Sequence, residues 1–359
     1  MIIDSHFHIF PFLGGACGFA SVAEHMRYLQ FYVQGHGQPV RRLTDHVIAT
    51  EPTLAEPDCT GPEGLYDVGF RATKYGRFEW TKSGVDYYIQ FMPPSLQTNA
   101  SPPDFGLAQM AYVGVDVAVL QNAHLYGRLD EYFAQAIRQH PGRFIGLAEV
   151  DEPNAHTEEE LRRLRRAITE LGLKGLYYAN RGFFFDTYRH NFDHPRYEPF
   201  WELVRELRIP VFWEFAPVPT PTPENYLREL ARLNRWADRY PDIPSIYTHG
   251  IGVDYLVGSM PDELSRLLGR EQWWVEILYP IGWGRLHEYP YAELRPAIGQ
   301  LYRLLGRERL CWGSDMPNVE RHCTYRQALD YLRRYCDFIP SSDMELILGG
   351  NLSRLFKLA

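Results

Sequence analysis

Apolar runs of strand length recur along the chain at Ile2–Phe10, Val115–Gln121, Phe144–Val150, Leu173–Tyr178, Pro210–Ala216, Ser245–Thr248, Trp273–Leu278 and Leu310–Trp312. From the second run onward, successive starts lie roughly 30 to 40 residues apart. The segments between them carry helical periodicity. Thr157–Leu171 opens with Thr157 and Glu160 as a capping box, aligns Leu161, Leu164, Ile168 and Leu171 on one stripe, and stops at Gly172. Pro223–Tyr240 has Thr222 as N-cap and Pro223 at its first position. Tyr325–Cys336 places Ala328, Leu329, Leu332 and Tyr335 on one side, and Tyr197–Leu207 and Ala292–Leu305 are similar. Strands alternating with helices predict a parallel sheet with right-handed crossovers. Eight such units predict an α/β fold closed as a (β/α)8 TIM barrel. An open doubly wound sheet is the alternative, but it calls for a glycine-rich turn after the first strand, where this chain has His8-Ile-Phe-Pro11.

The regular pattern is interrupted once. Residues 11–104 are rich in Gly, Pro, Tyr and Phe and show little periodicity, apart from a predicted helix at Ala23–Val33 and a short strand at Tyr87–Phe91. Pro93-Pro94 and Pro102-Pro103 are breakers. A stretch of this length inside a compact domain predicts an insert that serves as a lid or a subunit contact. The expectation is one barrel domain over 1–359, with 11–104 inserted after the first strand. The insert's His25, His36 and His46 are read as surface residues.

Composition narrows the function classes. The net charge is −8, and the basic run Arg162-Arg163 with Arg165-Arg166 lies among glutamates on one helix, which predicts no nucleic-acid partner. No run of 18 or more apolar residues is present, so no membrane span is expected. Five cysteines, an odd number without a CxxC, argue against a disulfide framework and fit a reducing cytoplasm.

The chemistry gathers at the predicted strand ends, where barrels of this type place their active sites. In the first strand, His6 and His8 are spaced i, i+2 and point to one face. That face must be wet or occupied by a ligand. At the other end of the chain, Leu310–Trp312 is followed by Gly313-Ser314 and Asp315, and Pro317 cannot continue a central strand. Asp315 therefore belongs at a carboxyl strand end, where it can meet His6 and His8 around a metal ion. Glu214 lies in the apolar run Val211-Phe-Trp-Glu-Phe-Ala216, a costly place for an unpaired carboxylate. His249 follows Ser245–Thr248. The predicted metal set is His6, His8, Glu214 and Asp315 around one divalent ion. Asp315 and His249 are the predicted catalytic residues. His124, Arg181, Arg285 and Arg321 follow strand ends and are the predicted substrate contacts. Lys174 starts its strand and is read as structural.

These pieces resemble the amidohydrolase superfamily, and within it the branch that includes aminocarboxymuconate-semialdehyde and resorcylate decarboxylases. The resemblance rests on Ile3-Asp-Ser-His-Phe-His8, Lys174-Gly175, Tyr247-Thr-His-Gly-Ile-Gly252, Gly313-Ser-Asp-Met-Pro317 and Asn351–Leu358. It implies that His6, His8 and Asp315 occupy metal-ligand positions. It also implies that His249 acts on a bound water or on substrate. The chain departs from the pattern on the fifth strand, with Glu214 where the family usually has histidine. Zn2+ is the first expectation, and a second anionic ligand shifts the preference toward the harder Mn2+ or Fe2+ as alternatives.

Three functions follow as expectations. The first is a metal-dependent hydrolase in which activated water attacks a carbonyl carbon. The second is a non-oxidative decarboxylase of an aromatic or unsaturated carboxylic acid, for which an arginine or histidine must hold the substrate carboxylate. The third is a non-catalytic binding protein on a barrel scaffold. Tyr279, Trp283, Tyr289, Phe183–Phe185 and Tyr87-Tyr88 near the predicted mouth point to a planar or apolar small-molecule substrate. A homo-oligomer is compatible with the insert.

Overall fold

A computed structural model describes residues 1–358. It contains twelve strands in chain order: β1 (Ile3–Phe7), β2 (Arg41–Arg42), β3 (Arg71–Ala72), β4 (Arg77–Lys82), β5 (Val85–Gln90), β6 (Val117–Leu120), β7 (Phe144–Ala148), β8 (Gly175–Ala179), β9 (Val211–Glu214), β10 (Ser245–Tyr247), β11 (Trp273–Ile277) and β12 (Leu310–Trp312). Eight of them form one parallel sheet in the order β1-β6-β7-β8-β9-β10-β11-β12. All eight predicted apolar runs are strands of this sheet. Most are shorter than their runs, because the chain turns out of the sheet once it reaches the polar mouth.

The ring closes between the two ends of the chain. His8 N–H donates to Met316 O at 2.7 Å, and Asp315 N–H donates to His6 O at 2.9 Å. Asp4 locks this seam. Its Oδ1 accepts from Ser314 N–H at 2.9 Å, and its Oδ2 accepts from Ser314 Oγ at 2.5 Å and Tyr325 Oη at 2.8 Å. Gly313 allows the approach, since a Cβ there would sit 2.6 Å from Ser5 Oγ and 2.9 Å from His6 Cβ. The protein is a (β/α)8 barrel.

The outer helices match the periodic segments. They include Glu158–Thr169, Glu198–Leu207, Pro223–Arg239, Arg295–Leu305 and Tyr325–Arg333. The capping box at Thr157 is only half formed. Thr157 Oγ1 accepts from Glu160 N–H at 3.4 Å, but the Glu160 carboxylate instead takes Arg128 at 2.6 Å and Asp151 N–H at 2.9 Å. The reciprocal box lies at Thr324 and Gln327, in the last of these helices. Helices at Pro103–Val113, Asp130–Gln139, Val253–Val257 and Asp262–Leu268 were not in the sequence pattern.

The segment between β1 and Pro103 has structure of its own. A helix spans Val22–Gln34, with Ser21 Oγ accepting from Glu24 N–H. It is followed by a small antiparallel sheet in the order β2-β5-β4-β3. In β4, Phe78 and Trp80 are buried while Arg77 and Glu79 face outward, the alternation of a half-buried strand. Phe10 and Ser101 pair in an antiparallel bridge, so the segment leaves and rejoins the barrel at neighbouring points.

Candidate metal centre and active site

β1 delivers His6 and His8 to the carboxyl-end mouth, and the turn after β12 delivers Asp315 beside them. The ligand atoms of these three buried residues lie within 4.8 Å of one another, and among the described residues they form the one group of its kind. His8 Nε2 is 2.9 Å from Asp315 Oδ1, and His6 Nε2 is 4.0 Å from the same oxygen. Ligands of a tetrahedral ion stand about 3 to 4 Å apart, a spacing these side chains reach with small adjustments. His249 packs on the set, its ring 4.7 Å from that of His6.

The outer nitrogens of both histidines are already committed. His6 Nδ1 contacts Glu276 Oε2 at 2.9 Å, and His8 Nδ1 contacts Gln121 O at 2.9 Å. The Gln121 amide in turn donates to Glu276 Oε1 at 2.6 Å. One buried Gln–Glu pair therefore orients both rings and turns both Nε2 atoms inward. His6 Nε2 is buried without a hydrogen-bond partner, an arrangement that costs free energy unless something binds there. The residues fit a divalent ion.

Charge states agree with that fit. Burial lowers His6 from its usual range to about 3, against the pull of Asp315. Burial would raise Asp315, but the His8 hydrogen bond and the neighbouring His6, His8 and His249 hold it well below the ordinary carboxylate range. A neutral imidazole beside an ionised carboxylate is the state a metal requires. His249 is also lowered, first by burial and then by His6. Burial pushes Glu276 up to about 8, opposed by His249, Ser5 and Gln121. His249 and Asp315 both adopt positive φ, at 61° and 62°. Such left-handed backbone at non-glycine residues is concentrated at functional sites.

The site opens into a cavity of about 380 Å3. Its floor is His6, His8, His249, Asp315 and Glu214, and its walls include Arg181, Arg285 and Arg321. Tyr126, Tyr177, Tyr279 and Trp283 come from the barrel, and Tyr32, His36, Gln38 and Phe91 from the insert.

The other residues expected at the mouth are placed differently from one another. Glu214 faces the cavity but lies outside the His6–His8–Asp315 group; Tyr177 Oη donates to its Oε2 at 3.0 Å, and Arg181 Nη1 stands 4.0 Å from Oε1. His124 does not line the cavity, because Glu149 and Glu152 from the end of β7 take its two ring nitrogens at 2.9 and 2.8 Å. In the insert, His36 lines the cavity and His25 is buried between Gly15 O and Leu125 O, while His46 is exposed as expected. Of the expected aromatics, Tyr279 and Trp283 line the cavity, whereas Tyr289, Phe183–Phe185 and Tyr87-Tyr88 do not.

At the carboxyl mouth of the eight-stranded barrel, His6, His8 and Asp315 thus meet on a cavity that three arginines also line. The chain belongs to the amidohydrolase family, whose model matches residues 3–358. It is 23% identical over 300 residues to a 2-amino-3-carboxymuconate-6-semialdehyde decarboxylase of Dictyostelium discoideum, covering 71% of this chain and 77% of that one. It is similar in fold to a dihydroxybenzoic acid decarboxylase from Polaromonas sp. JS666, solved with bound manganese and 2-nitroresorcinol (TM-score 0.55, 19% identity, 71% and 86% of the two chains). It is also similar to a probable 2-pyrone-4,6-dicarboxylic acid hydrolase from Acinetobacter baumannii (TM-score 0.59, 17% identity, 99% of each chain). Among the described residues, no helix is long and apolar enough to cross a membrane.

Proposed function

We propose that this enzyme is a divalent-metal-dependent carboxy-lyase acting on a small aromatic or unsaturated carboxylic acid. The observation that carries the reading is the pair Arg285 and Arg321. Both face the cavity that holds His6, His8 and Asp315, and among the described residues neither has a carboxylate within 4.0 Å. Guanidinium groups without acidic partners recruit an anion, and the planar fork suits a carboxylate. The decarboxylase names of two relatives support the same reading.

In this reading His6 Nε2, His8 Nε2 and Asp315 hold one ion, Zn2+, Mn2+ or Fe2+. Bound there, the ion would supply Lewis acidity that draws electron density from substrate oxygens. Arg285 and Arg321 orient the carboxylate, and the surrounding aromatic side chains hold the planar body. The ring carbon must gain a proton before its bond to the carboxylate breaks and CO2 departs. His249 is the proton carrier, since its ring packs 4.7 Å from that of His6 and lines the cavity. Ionised Asp315 is the metal ligand.

A hydrolase would use the same set, with Asp315 placed to take a proton from water. The products separate the two. Metal-loaded protein is incubated with a panel of aromatic and unsaturated carboxylic acids, lactones and amides. The expected result is CO2 release from an acid, lost together with bound metal in Asp315→Asn. Ring opening of a lactone or cleavage of an amide, without CO2 release from any acid, would reverse the assignment.

A further inference from the structure

We propose that Glu214, with Tyr32 and Tyr177, forms a subsite for a hydroxyl or amino hydrogen-bond donor on the substrate, separate from the group that holds the metal. This rests on the reading of the cavity as a carboxylic-acid site.

The geometry begins with what Glu214 lacks. Its Oε2 accepts from Tyr177 Oη at 3.0 Å. Its Oε1 has only Arg181 at 4.0 Å, beyond hydrogen-bond reach. The carboxylate is partly exposed to the cavity and therefore has accepting capacity to spare. Tyr32 comes from the helix Val22–Gln34. It is 3% exposed, lines the same cavity, and its hydroxyl is buried without a partner. Arg181 lies over its ring at 5.0 Å and also stands 4.0 Å from Glu214, so one guanidinium packs against both residues. Burial raises both phenols above their usual range, and after burial the Glu214 charge acts most strongly on each, so both stay protonated.

This arrangement selects by chemistry. A second anionic substituent would be repelled by Glu214. An apolar one would desolvate the carboxylate and leave Tyr32 Oη unpaired. A hydroxyl can donate to Glu214 Oε1 and accept from Tyr32, and an amino group can donate to Glu214 Oε1. Sites built to bond such a group reject the analogue lacking it more strongly than apolar pockets reject a missing methylene. Glu214 thereby becomes a specificity determinant.

The test is equilibrium binding of benzoate and its ortho, meta and para hydroxy and amino derivatives to metal-loaded protein. Metal content is measured in parallel for wild type, Glu214→Met, Glu214→Gln and Tyr32→Phe. At least one derivative is expected to bind ~10-fold or more tighter than benzoate. That preference should fall to near unity in Glu214→Met and be reduced in Glu214→Gln and Tyr32→Phe, with benzoate affinity and metal content unchanged in all. Benzoate binding without any donor preference overturns the proposal, as does a preference that survives in Glu214→Met. Loss of metal in Glu214→Gln also overturns it, by making Glu214 a ligand. If no benzoate binds at all, the carboxylic-acid reading fails and this proposal with it.

Discussion

Glu276 Oε2 lies 2.9 Å from His6 Nδ1, across the barrel from β11 to β1, and both groups are buried. The contact fixes which nitrogen of His6 faces the cavity. It also explains why a carboxylate is kept at a position that raises it to about 8. Replacing it with Glu276→Gln keeps the volume and puts an amide in place of the carboxyl group against the imidazole. The expected result is metal affinity weaker by about 10- to 100-fold with the fold intact. Chelator competition gives the affinity and thermal unfolding the fold; unchanged affinity would mean that Gln121 alone orients the rings.

Arg285 is exposed and can be replaced without unfolding the barrel. Arg285→Met is expected to raise KM for the carboxylic-acid substrate by roughly 10-fold while kcat changes little, the pattern of lost uniform binding. Steady-state kinetics decide it. A fall in kcat at constant KM would instead move Arg285 into the bond-breaking step.

Gly313→Ala should destabilise the protein by about 1 to 3 kcal/mol, because the new methyl group meets Ser5 Oγ and His6 Cβ below contact distance. Urea unfolding measures the loss. The same substitution should also weaken metal binding, since the clash pushes on a ligand residue.

Asp4 supplies a pH prediction. Burial raises it from 3.8 to about 7, despite the hydrogen bonds from Ser314, His6 and Tyr325. Its folded pKa is thus above its unfolded one, and between these values the folded state binds more protons. The stability from this group is full below pH ~4 and declines as pH rises through 7. Asp4→Asn cannot titrate. The gap in unfolding free energy between wild type and Asp4→Asn should therefore narrow from pH 4.5 to 7.5 in metal-free protein. A gap that widens over that range would show that the ionised carboxylate is the favoured clasp.

The barrel was legible because its strands are buried on both faces and show as continuous apolar runs, and its helices carry a clear stripe. The insert was less legible. β2 and β3 have two residues each, too few for any period to register. The alternation of Phe78 and Trp80 with Arg77 and Glu79 is present in β4 but is short and isolated. At the site, His6, His8 and Asp315 follow from strand ends alone. His124 obeys the same rule yet is captured by Glu149 and Glu152, a contact between neighbouring strand ends that spacing does not encode. Tyr32 and His36 line the cavity through tertiary packing of the 11–104 segment, which no local pattern encodes. Glu276 could be seen as a strand-end carboxylate, but its hold on His6 depends on proximity across the barrel.

The seam where Asp4 grips Ser314 joins residues 310 positions apart in the chain. His6 and His8 leave the ribosome before Asp315, which follows roughly 15 to 60 s later at 5–20 residues per second. During that interval the nascent chain carries half a chelating site, with nothing to complete it. A chain cut short before the strand Leu310–Trp312 has the histidines but no Asp315 beside them, so the three-residue group exists only once synthesis has passed that strand.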